Sequence, residues 1–441
     1  MFQTFKNAFK IPELRNKIFF TLFIVLLYRI GVAVPVPYIN ANYMALMIES
    51  NAGTIFDYFN ILSGSAFAQA TLFALGVSPY ITSSIVIQLL AVAIPALQKL
   101  SEEGEEGRKK LNNLTRWVTV VLALISAFGY YMLMRNYNIL SNDGVFAAFV
   151  IIACYCAGAA LVMWLAEKIN ENGIGNGISI ILFANIISRL PSMAGSLFNT
   201  SVSMFQKGGA YIALGVLFIL GVLAFAVAMV GAVVFLTESE RKIPVQYAKR
   251  VVGRKMYGGQ SSVLPLKLNM TGVMPIIFAS SICSLPATVM MFIGKPADSS
   301  TFGAKVYNFF NSIFDTKSLV YIIVYFILII AFAYFYIAIS FNPVEVSNNL
   351  KKQGGFIPGI RPGKPTSDYI AKILSKITLI GAIFLGVIAI IPMLLNVISS
   401  ETFAGIAFGG SSLLIVVGVA IETAREIEAQ MTMRHYKGFL E

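Results

Sequence analysis

The sequence predicts an all-α membrane protein with ten transmembrane helices, arranged as two inverted five-helix halves around a central pore. The 441-residue chain is 57% hydrophobic and only 12% charged, whereas soluble domains are about 25% charged. Ten apolar stretches are each long enough to cross a bilayer, which takes about 20 residues. A short motif also recurs where the second and the seventh stretch begin. These features exclude a water-soluble enzyme, a disordered chain and a coiled coil.

The ten predicted spans are continuous apolar runs separated by polar connections. The fifth span is unusually short and follows a glycine-rich lead-in at residues 172–177. Short or broken helices are where membrane proteins often place their binding sites. The spans lie near residues 18–37, 74–94, 116–135, 146–166, 176–190, 211–236, 270–293, 319–340, 371–394 and 405–424.

The basic residues fix the orientation of these spans. If the N-terminus lies in the cytoplasm, 26 of the 33 Lys and Arg residues fall in cytoplasmic segments and six fall in outer loops, with Arg29 inside the first span. A bias of this size satisfies the positive-inside rule. We therefore expect both termini in the cytoplasm.

Residues 57–73 run into the second span without a polar loop, although they are amphipathic and carry Ser63-Gly64-Ser65. Polar or irregular backbone at membrane depth must be buried in protein or line a water-filled cavity. The sequence thus predicts a re-entrant half-helix that dips into the bundle.

The recurring motif indicates an internal repeat. Gly, Val, Pro, Ile and Ser coincide in register between residues 76–84 and 272–280. Chance is the alternative explanation, because these residues are common in membrane helices. A repeat of five spans enters the membrane in the opposite sense the second time, so the halves 1–210 and 211–441 are predicted to be inverted copies. Gly and Pro at both helix starts favour a seam between the halves that opens.

The predicted membrane region lacks the groups that transporters and enzymes need. Ion-coupled transport uses ionisable groups near the midplane, but Glu167, Glu238 and Glu422 all fall at cytoplasmic ends of spans. Arg29 is the sole charge within a span, and one arginine cannot relay protons as a carboxylate does, which favours a paired or snorkelling helix residue. No phosphate-binding glycine loop, catalytic triad or metal-ligand pattern is visible in the sequence. We therefore expect no catalytic residues, no metal and no cofactor.

The candidates for the middle of a pore are aliphatic. A ring of such side chains would dewet and block ions without binding any particular substrate. Ordinary core packing is the alternative explanation. The six residues are Ile81, Ile85, Leu182, Ile186, Ile277 and Ile415.

Two cytoplasmic loops, 237–269 and 340–370, are too long and too rich in Pro and Gly to be simple connectors. Topology alone could account for their charge but not for their length. Interleaved Tyr and Phe residues favour a docking surface for ribosomal RNA phosphate or an acidic protein surface. The basic residues at the loop tips are Arg241, Lys242, Lys249, Arg250, Arg254, Lys255, Lys351, Lys352, Arg361 and Lys364.

Several segments together resemble the SecY family, the central subunit of the Sec protein-conducting channel, in its bacterial form. The resemblance is collinear over nearly the whole chain. The specific motifs are NGIGNGIS and PGIRPG. The segments are RIGVAVPVPYI (29–39), GTIFDYFNILSGSAFAQATLFALGVSPYITSSIVIQLL (53–90), EEGEEGRKKLNNLTR (102–116), NGIGNGISIILF (172–183), ERKIPVQYAKR (240–250), LPLKLNMTGVMPIIFASSI (264–282), GFIPGIRPGKPT (355–366) and GGSSLLIVVGVAIE (409–422).

The resemblance implies specific roles. Residues 57–72 would be the plug that seals the outer funnel, including Leu62, Ser63, Gly64, Ser65, Ala66 and Phe67. The six aliphatic residues would be the pore ring, in which Leu182 departs from the family's usual isoleucine. The second, third, seventh and eighth spans would form a lateral gate, with Ser84, Gln88, Asn269 and Ser280 along it.

The resemblance also implies partners and a location. Arg361, Lys364 and the basic tip from Arg241 to Lys255 would engage the SecA motor ATPase or the ribosome. SecE would clamp the two halves and SecG would lie alongside. The passengers would be signal-sequence-bearing precursor proteins, whose membrane segments leave into the lipid of the bacterial plasma (inner) membrane. Two other interpretations stay open: an inverted-repeat secondary transporter of small solutes, and an insertase or scaffold without a pore.

Overall fold

The computed structural model describes residues 8–50, 55–206, 210–247, 250–252, 255–257, 261–293, 305, 313, 318–398 and 400–437. Over these residues the chain is mostly helical. The helices are α1 (Pro12–Val32), α2 (Ala41–Ser50), α3 (Ile55–Leu62), α4 (Ser78–Ala93), α5 (Pro95–Glu102), α6 (Glu105–Asn136), α7 (Val145–Asn172), α8 (Gly177–Gln206), α9 (Ala210–Glu238), α10 (Met274–Ile293), α11 (Leu319–Ser340), α12 (Pro343–Lys352), α13 (Lys364–Ile398) and α14 (Ser400–Lys437).

A helix lies at each of the ten predicted span positions, namely α1, α4, α6 to α11, α13 and α14. Within the described residues, six helices are long and apolar enough to cross a bilayer, or seven if the bent pair α4 and α5 counts as one span. The chain is therefore a multi-pass membrane protein. The bend in that pair is 106°, and it falls at Pro95, whose ring cannot continue the preceding helix.

The fifth helix differs from its prediction. The sequence indicates a short span at 176–190, but α8 continues to Gln206 with Pro191 inside it. The residues after Pro191 are rich in Ser, which lowers their hydropathy. The prediction of an unusually short fifth helix was wrong because the helix continues through the proline and these polar residues.

The recurring motif has the same backbone geometry at both places. Gly76 has φ +55° and Gly272 has φ +63°, a left-handed conformation that glycine adopts without steric cost. The carbonyl of Val77 accepts the amide of Ile81 at 3.0 Å, and the carbonyl of Val273 accepts the amide of Ile277 at 3.2 Å. Each motif thus turns the chain at a glycine and starts a helix with the same residue spacing.

The two long loops, 237–269 and 340–370, form strands, which the all-α prediction missed. The strands are β1 (Glu240–Tyr247), β2 (Arg250–Val252), β3 (Lys255–Tyr257), β4 (Ser261–Lys267) and β5 (Gly355–Phe356). Strand β1 is the centre of an antiparallel sheet with order β4-β1-β5, and β2 pairs with β3. Because β5 comes from the second loop, the sheet joins the two loops to each other.

The sheet has its own hydrophobic core. Ile243 and Val245 of β1 and Leu266 of β4 are buried against Leu350 of α12 and Ile370 of α13. The alternation of buried and exposed residues along β1 is typical of a sheet with one face packed and one face in water. The loops are therefore held on the end of the helix bundle.

We expect Ile243→Asn to release this sheet, because a buried amide without partners costs about 1–3 kcal/mol. The measurement is limited proteolysis of loops 237–269 and 340–370 in proteoliposomes, where cleavage should become faster in both loops. Val263→Asn is the matched control, since Val263 lies on β4 with 52% of its surface exposed. Equal protease sensitivity of the two variants would contradict the packing described above.

Candidate functional site

The six predicted pore-ring residues are all buried. They come from four helices, α4, α8, α10 and α14, and all belong to the same hydrophobic cluster. Their exposed fractions are only 1–4%. Residues of the 57–72 segment, such as Ile61 and Ala66, are part of that cluster too.

The 57–72 segment, called the plug segment below, is a short helix followed by compact turns. Helix α3 ends at Leu62, and positive φ angles at Gly64, Ser65 and Ala70 fold the rest of the segment. Internal hydrogen bonds fix these turns. The Ser63 hydroxyl accepts the Phe67 amide at 3.0 Å, and the Asn60 side-chain oxygen accepts the Ala68 amide at 3.1 Å.

The plug segment is bound to helices α6, α7 and α8 by side-chain donors. The Tyr130 hydroxyl donates to the Phe67 carbonyl at 2.6 Å, and the Tyr155 hydroxyl donates to the Ala70 carbonyl at 3.3 Å. The Asn185 amide donates to the Leu62 carbonyl at 2.7 Å. Of the predicted plug residues, Ser63, Gly64, Ala66 and Phe67 are buried, whereas Leu62 and Ser65 are half-buried.

Sequence reasoning missed Tyr130, Tyr155 and Asn185. All three are fully or almost fully buried polar residues within apolar helices. Such residues need hydrogen-bond partners at membrane depth, and that need was the available signal. Their partners could not be deduced, because they are carbonyl groups of irregular backbone rather than side chains.

Two of the predicted gate residues lie in a hydrogen-bonded chain between α4 and α11. Gln88 donates its side-chain amide to the Ser84 hydroxyl at 2.9 Å and accepts the Tyr336 hydroxyl at 3.1 Å. The ring of Tyr336 also packs against Phe278 of α10, with 4.9 Å between ring centroids. This contact fastens the second span to the eighth, and Tyr336 was not predicted.

The other two predicted gate residues have different hydrogen-bond partners or neighbours. Ser280 is buried on α10, where its hydroxyl donates to the Ile277 carbonyl at 2.8 Å. Asn269 lines a cavity of about 280 Å³ between α9, α13, α14 and the segment that precedes α10. It also lines a smaller cavity with Ala333 and Ile337 of α11, the helix that carries Tyr336.

The larger cavity carries charge on one wall. Lys267 and Arg425 both line it. Partial burial, together with the nearby positive charge of Arg425, lowers the pKa of Lys267 below its ordinary value. Arg425 is held by the Thr237 carbonyl and the Glu238 carboxylate, each at 2.8 Å. These bonds tie the C-terminal end of α9 to α14.

The predicted docking residues that the structure describes are exposed. Arg241 and Lys242 lie on β1, and Lys242 pairs with Glu240 at 3.2 Å. Arg361 and Lys364 are exposed at the tip of the second loop. Arg250 and Lys255 lie at the ends of the β2–β3 ribbon, but their side chains are outside the described part of the chain, as are residues Lys249 and Arg254.

The tip that carries Arg361 has a fixed backbone. Ile357 is buried beneath the sheet. The Thr366 hydroxyl donates to the Arg361 carbonyl, and the Ser347 hydroxyl donates to the Gly363 carbonyl at 2.7 Å. Gly359 and Gly363 have φ values of +82° and +100°, which the turn requires. The guanidinium of Arg361 is thus presented on an ordered turn.

Over the residues that the structure describes, no group of three or more His, Cys, Asp or Glu side chains is placed to hold a metal ion.

The chain is similar to known proteins along most of its length. The SecY family model matches residues 71–424. A protein translocase subunit SecY of Streptomyces scabiei is 43% identical over 455 residues, and the match covers 100% of both chains.

Solved structures share the fold. One, described as "The structure of a protein conducting channel", has a TM-score of 0.64 at 17% identity and covers 95% of this chain and 92% of that chain. Another is Sec61 in the canine ribosome-channel complex from the endoplasmic reticulum, with a TM-score of 0.60 at 16% identity and the same coverage. At these identities the likeness is evidence for the fold alone.

We expect Tyr336→Phe to loosen the contact between α4 and α11, because it removes the hydroxyl that Gln88 accepts. The net loss of about 0.5–1.5 kcal/mol would raise the population of separated helices roughly two- to tenfold. The measurement is the distance between spin labels at Leu90 and Ile339 in lipid nanodiscs.

Tyr334→Phe is the matched control for this measurement. Tyr334 lies on the same helix and donates to the Ser375 carbonyl at 3.1 Å, away from Gln88. A distance distribution that is the same in both variants would contradict the fastening role of Tyr336.

Proposed function

The chain belongs to the SecY family, and we propose that it is the channel-forming subunit of a protein translocase, which carries unfolded polypeptides across a membrane and releases apolar segments sideways into lipid. Relatives named as translocase subunits along the whole chain support this function. The small-solute transporter interpretation has no support among these relatives.

The observation that carries the proposal is the cluster of buried aliphatic side chains. Six buried side chains from four helices share one cluster with the plug segment. In our proposal they form a ring at the waist of the pore, which blocks ions when empty and fits closely around any extended chain. Such a ring is blind to sequence, as a passenger of varying chemistry requires.

We propose that the plug segment closes the outer side of this ring at rest. Its burial and its bonds to Tyr130, Tyr155 and Asn185 support a stable resting position. These bonds are few, and each joins a side-chain donor to a backbone carbonyl. Water can therefore bond both groups once the segment moves.

The side exit is proposed between the second and third spans and the seventh and eighth spans. Ser84, Gln88 and Tyr336 would bridge this gate in its closed form, with Ser280 and Asn269 along the same seam. Exit into lipid is favourable for apolar passengers, since Leu, Ile, Phe and Val each gain about 0.3–0.6 kcal/mol at a span centre.

The architecture proposed around this pore is ten transmembrane helices in two inverted halves, 1–210 and 211–441. The equal backbone geometry at Gly76 and Gly272 supports the repeat. The distribution of Lys and Arg supports cytoplasmic termini. A bacterial relative at 43% identity supports a bacterial plasma membrane.

The driving force must come from a partner in this proposal, since the chain itself is proposed to catalyse no reaction. SecA or the ribosome would dock on the exposed basic residues of the two joined loops. A structural neighbour, Sec61, is described in a complex with a ribosome. SecE and SecG would bind the membrane-facing surface of the helices.

The test of the channel is a photo-crosslinking residue at Ile81 or Ile277, with a secretory precursor arrested midway through transport. We expect a crosslink to the precursor that depends on its signal sequence, because both residues would line the ring. Phe235, which is 69% exposed on α9, is the control position and should give none. The control for the experiment is that arrest of the precursor is demonstrated in the same membranes. If neither ring position then gives a crosslink, the precursor does not pass the proposed ring, and the scaffold interpretation is favoured.

We expect Arg361→Glu to abolish motor-driven transport without unfolding the chain, because it reverses the charge on an exposed, ordered turn. The measurement is precursor transport into proteoliposomes with purified SecA. Arg361→Lys is the control and should retain most transport if charge alone is needed. The fold should survive both changes, since the backbone carbonyl, not the side chain, of residue 361 holds the turn. Normal transport by the Glu variant would refute docking at this residue.

A further inference from the structure

Asn185 is an unusual residue in the membrane interior. Its side chain has no exposed surface. Its amide nitrogen donates two hydrogen bonds, to the Tyr28 hydroxyl at 2.8 Å and to the Leu62 carbonyl at 2.7 Å. Its side-chain oxygen is buried and has no hydrogen-bond partner within the described residues. A buried acceptor without a partner lowers the stability of the fold by about 1–3 kcal/mol. This cost suggests that the side chain has a function.

The unpaired oxygen faces the turn of the plug segment. A β-carbon built on Gly64 would lie 2.6 Å from the Asn185 oxygen and 2.9 Å from a guanidinium nitrogen of Arg29. Only a glycine, here with φ +65°, allows the backbone to come this close. The niche formed by Tyr28, Arg29 and Asn185 is therefore filled by peptide backbone.

Asn185 also lies beside the proposed ring. On helix α8 it follows Leu182 by three residues and precedes Ile186 by one, so all three share one face of the helix. Leu182 and Ile186 are buried in the same cluster as the other ring residues. Any chain that replaces the plug segment near the ring passes this side chain.

We propose that Asn185 is a binding site for the backbone of the passenger polypeptide, which takes the place of the plug segment. This inference rests on the proposed channel function. A carboxamide matches a peptide unit, because its nitrogen donates to a carbonyl and its oxygen accepts an amide. In the structure the Asn185 amide nitrogen already donates to a backbone carbonyl, that of Leu62. Its side-chain oxygen has no donor among the described residues. Since every peptide carries the same two groups, the site does not depend on passenger sequence.

The test measures how fast an arrested passenger slides backwards. The complete translocase is reconstituted in proteoliposomes with the full chain or with a chain that lacks residues 60–70, in which Asn185 cannot act through the plug segment. A precursor with a folded C-terminal domain is arrested, the driving force is removed, and loss of its protease protection is timed. The variants are Asn185→Leu, which keeps the shape, and Asn185→Ala. Ser188→Ala is the control, because that hydroxyl bonds only the Asn185 backbone carbonyl in its own helix, at 2.7 Å.

Both Asn185 variants should slide back roughly two- to tenfold faster than the parent in the shortened chain, the range expected for one net hydrogen bond, and Ser188→Ala should match the parent. Unchanged sliding with Asn185→Leu overturns the proposal. An effect of Asn185→Ala alone overturns it as well, because bulk and not hydrogen bonding would then matter. If the parent chain arrests no precursor at all, the proposed function fails instead.

Discussion

Irregular backbone inside a membrane must find its hydrogen-bond partners within the protein, because lipid offers none. The plug segment is the place where this constraint acts most strongly. Its left-handed turns leave carbonyl groups that no helix satisfies, and Tyr130, Tyr155 and Asn185 supply the missing donors. The surrounding helices therefore carry polar residues at the levels of these carbonyl groups. The packing of the helices around the aliphatic cluster positions those residues.

The helices were predictable from the sequence because apolar runs are long and local. The plug segment was predictable for a related reason: polar residues such as Ser63 cannot face lipid. The strands were not predicted, because both loops are rich in Pro and Gly and because the sheet is completed by β5, which pairs with β1 from more than 100 residues later in the chain. The partners of Gln88 and Asn185 were equally hidden, because Tyr336 and the Leu62 carbonyl lie far away in sequence. Local sequence patterns thus predict the helices, but they do not identify residues whose role depends on tertiary contacts.

The surface formed by the two long loops follows a different physical rule. There water satisfies backbone groups, so order must come from apolar burial. Ile243 and Ile357 supply it by anchoring both loops in one small core. Basic side chains such as Arg361 can then point into water from an ordered turn. Their charged form is not disfavoured there by burial.

The donors that hold the plug segment all belong to the first half of the chain. These donors, Tyr130, Tyr155 and Asn185, lie on α6, α7 and α8. The hydrogen bond from Tyr336 to Gln88, in contrast, joins α11 to α4. Separation of the two halves would therefore break the Tyr336–Gln88 bond and leave the three bonds to the plug segment intact. In the proposed channel, sideways opening and unsealing would therefore be separate events with separate barriers. A passenger that only needs to enter the lipid would then do so while the membrane keeps its ion gradients.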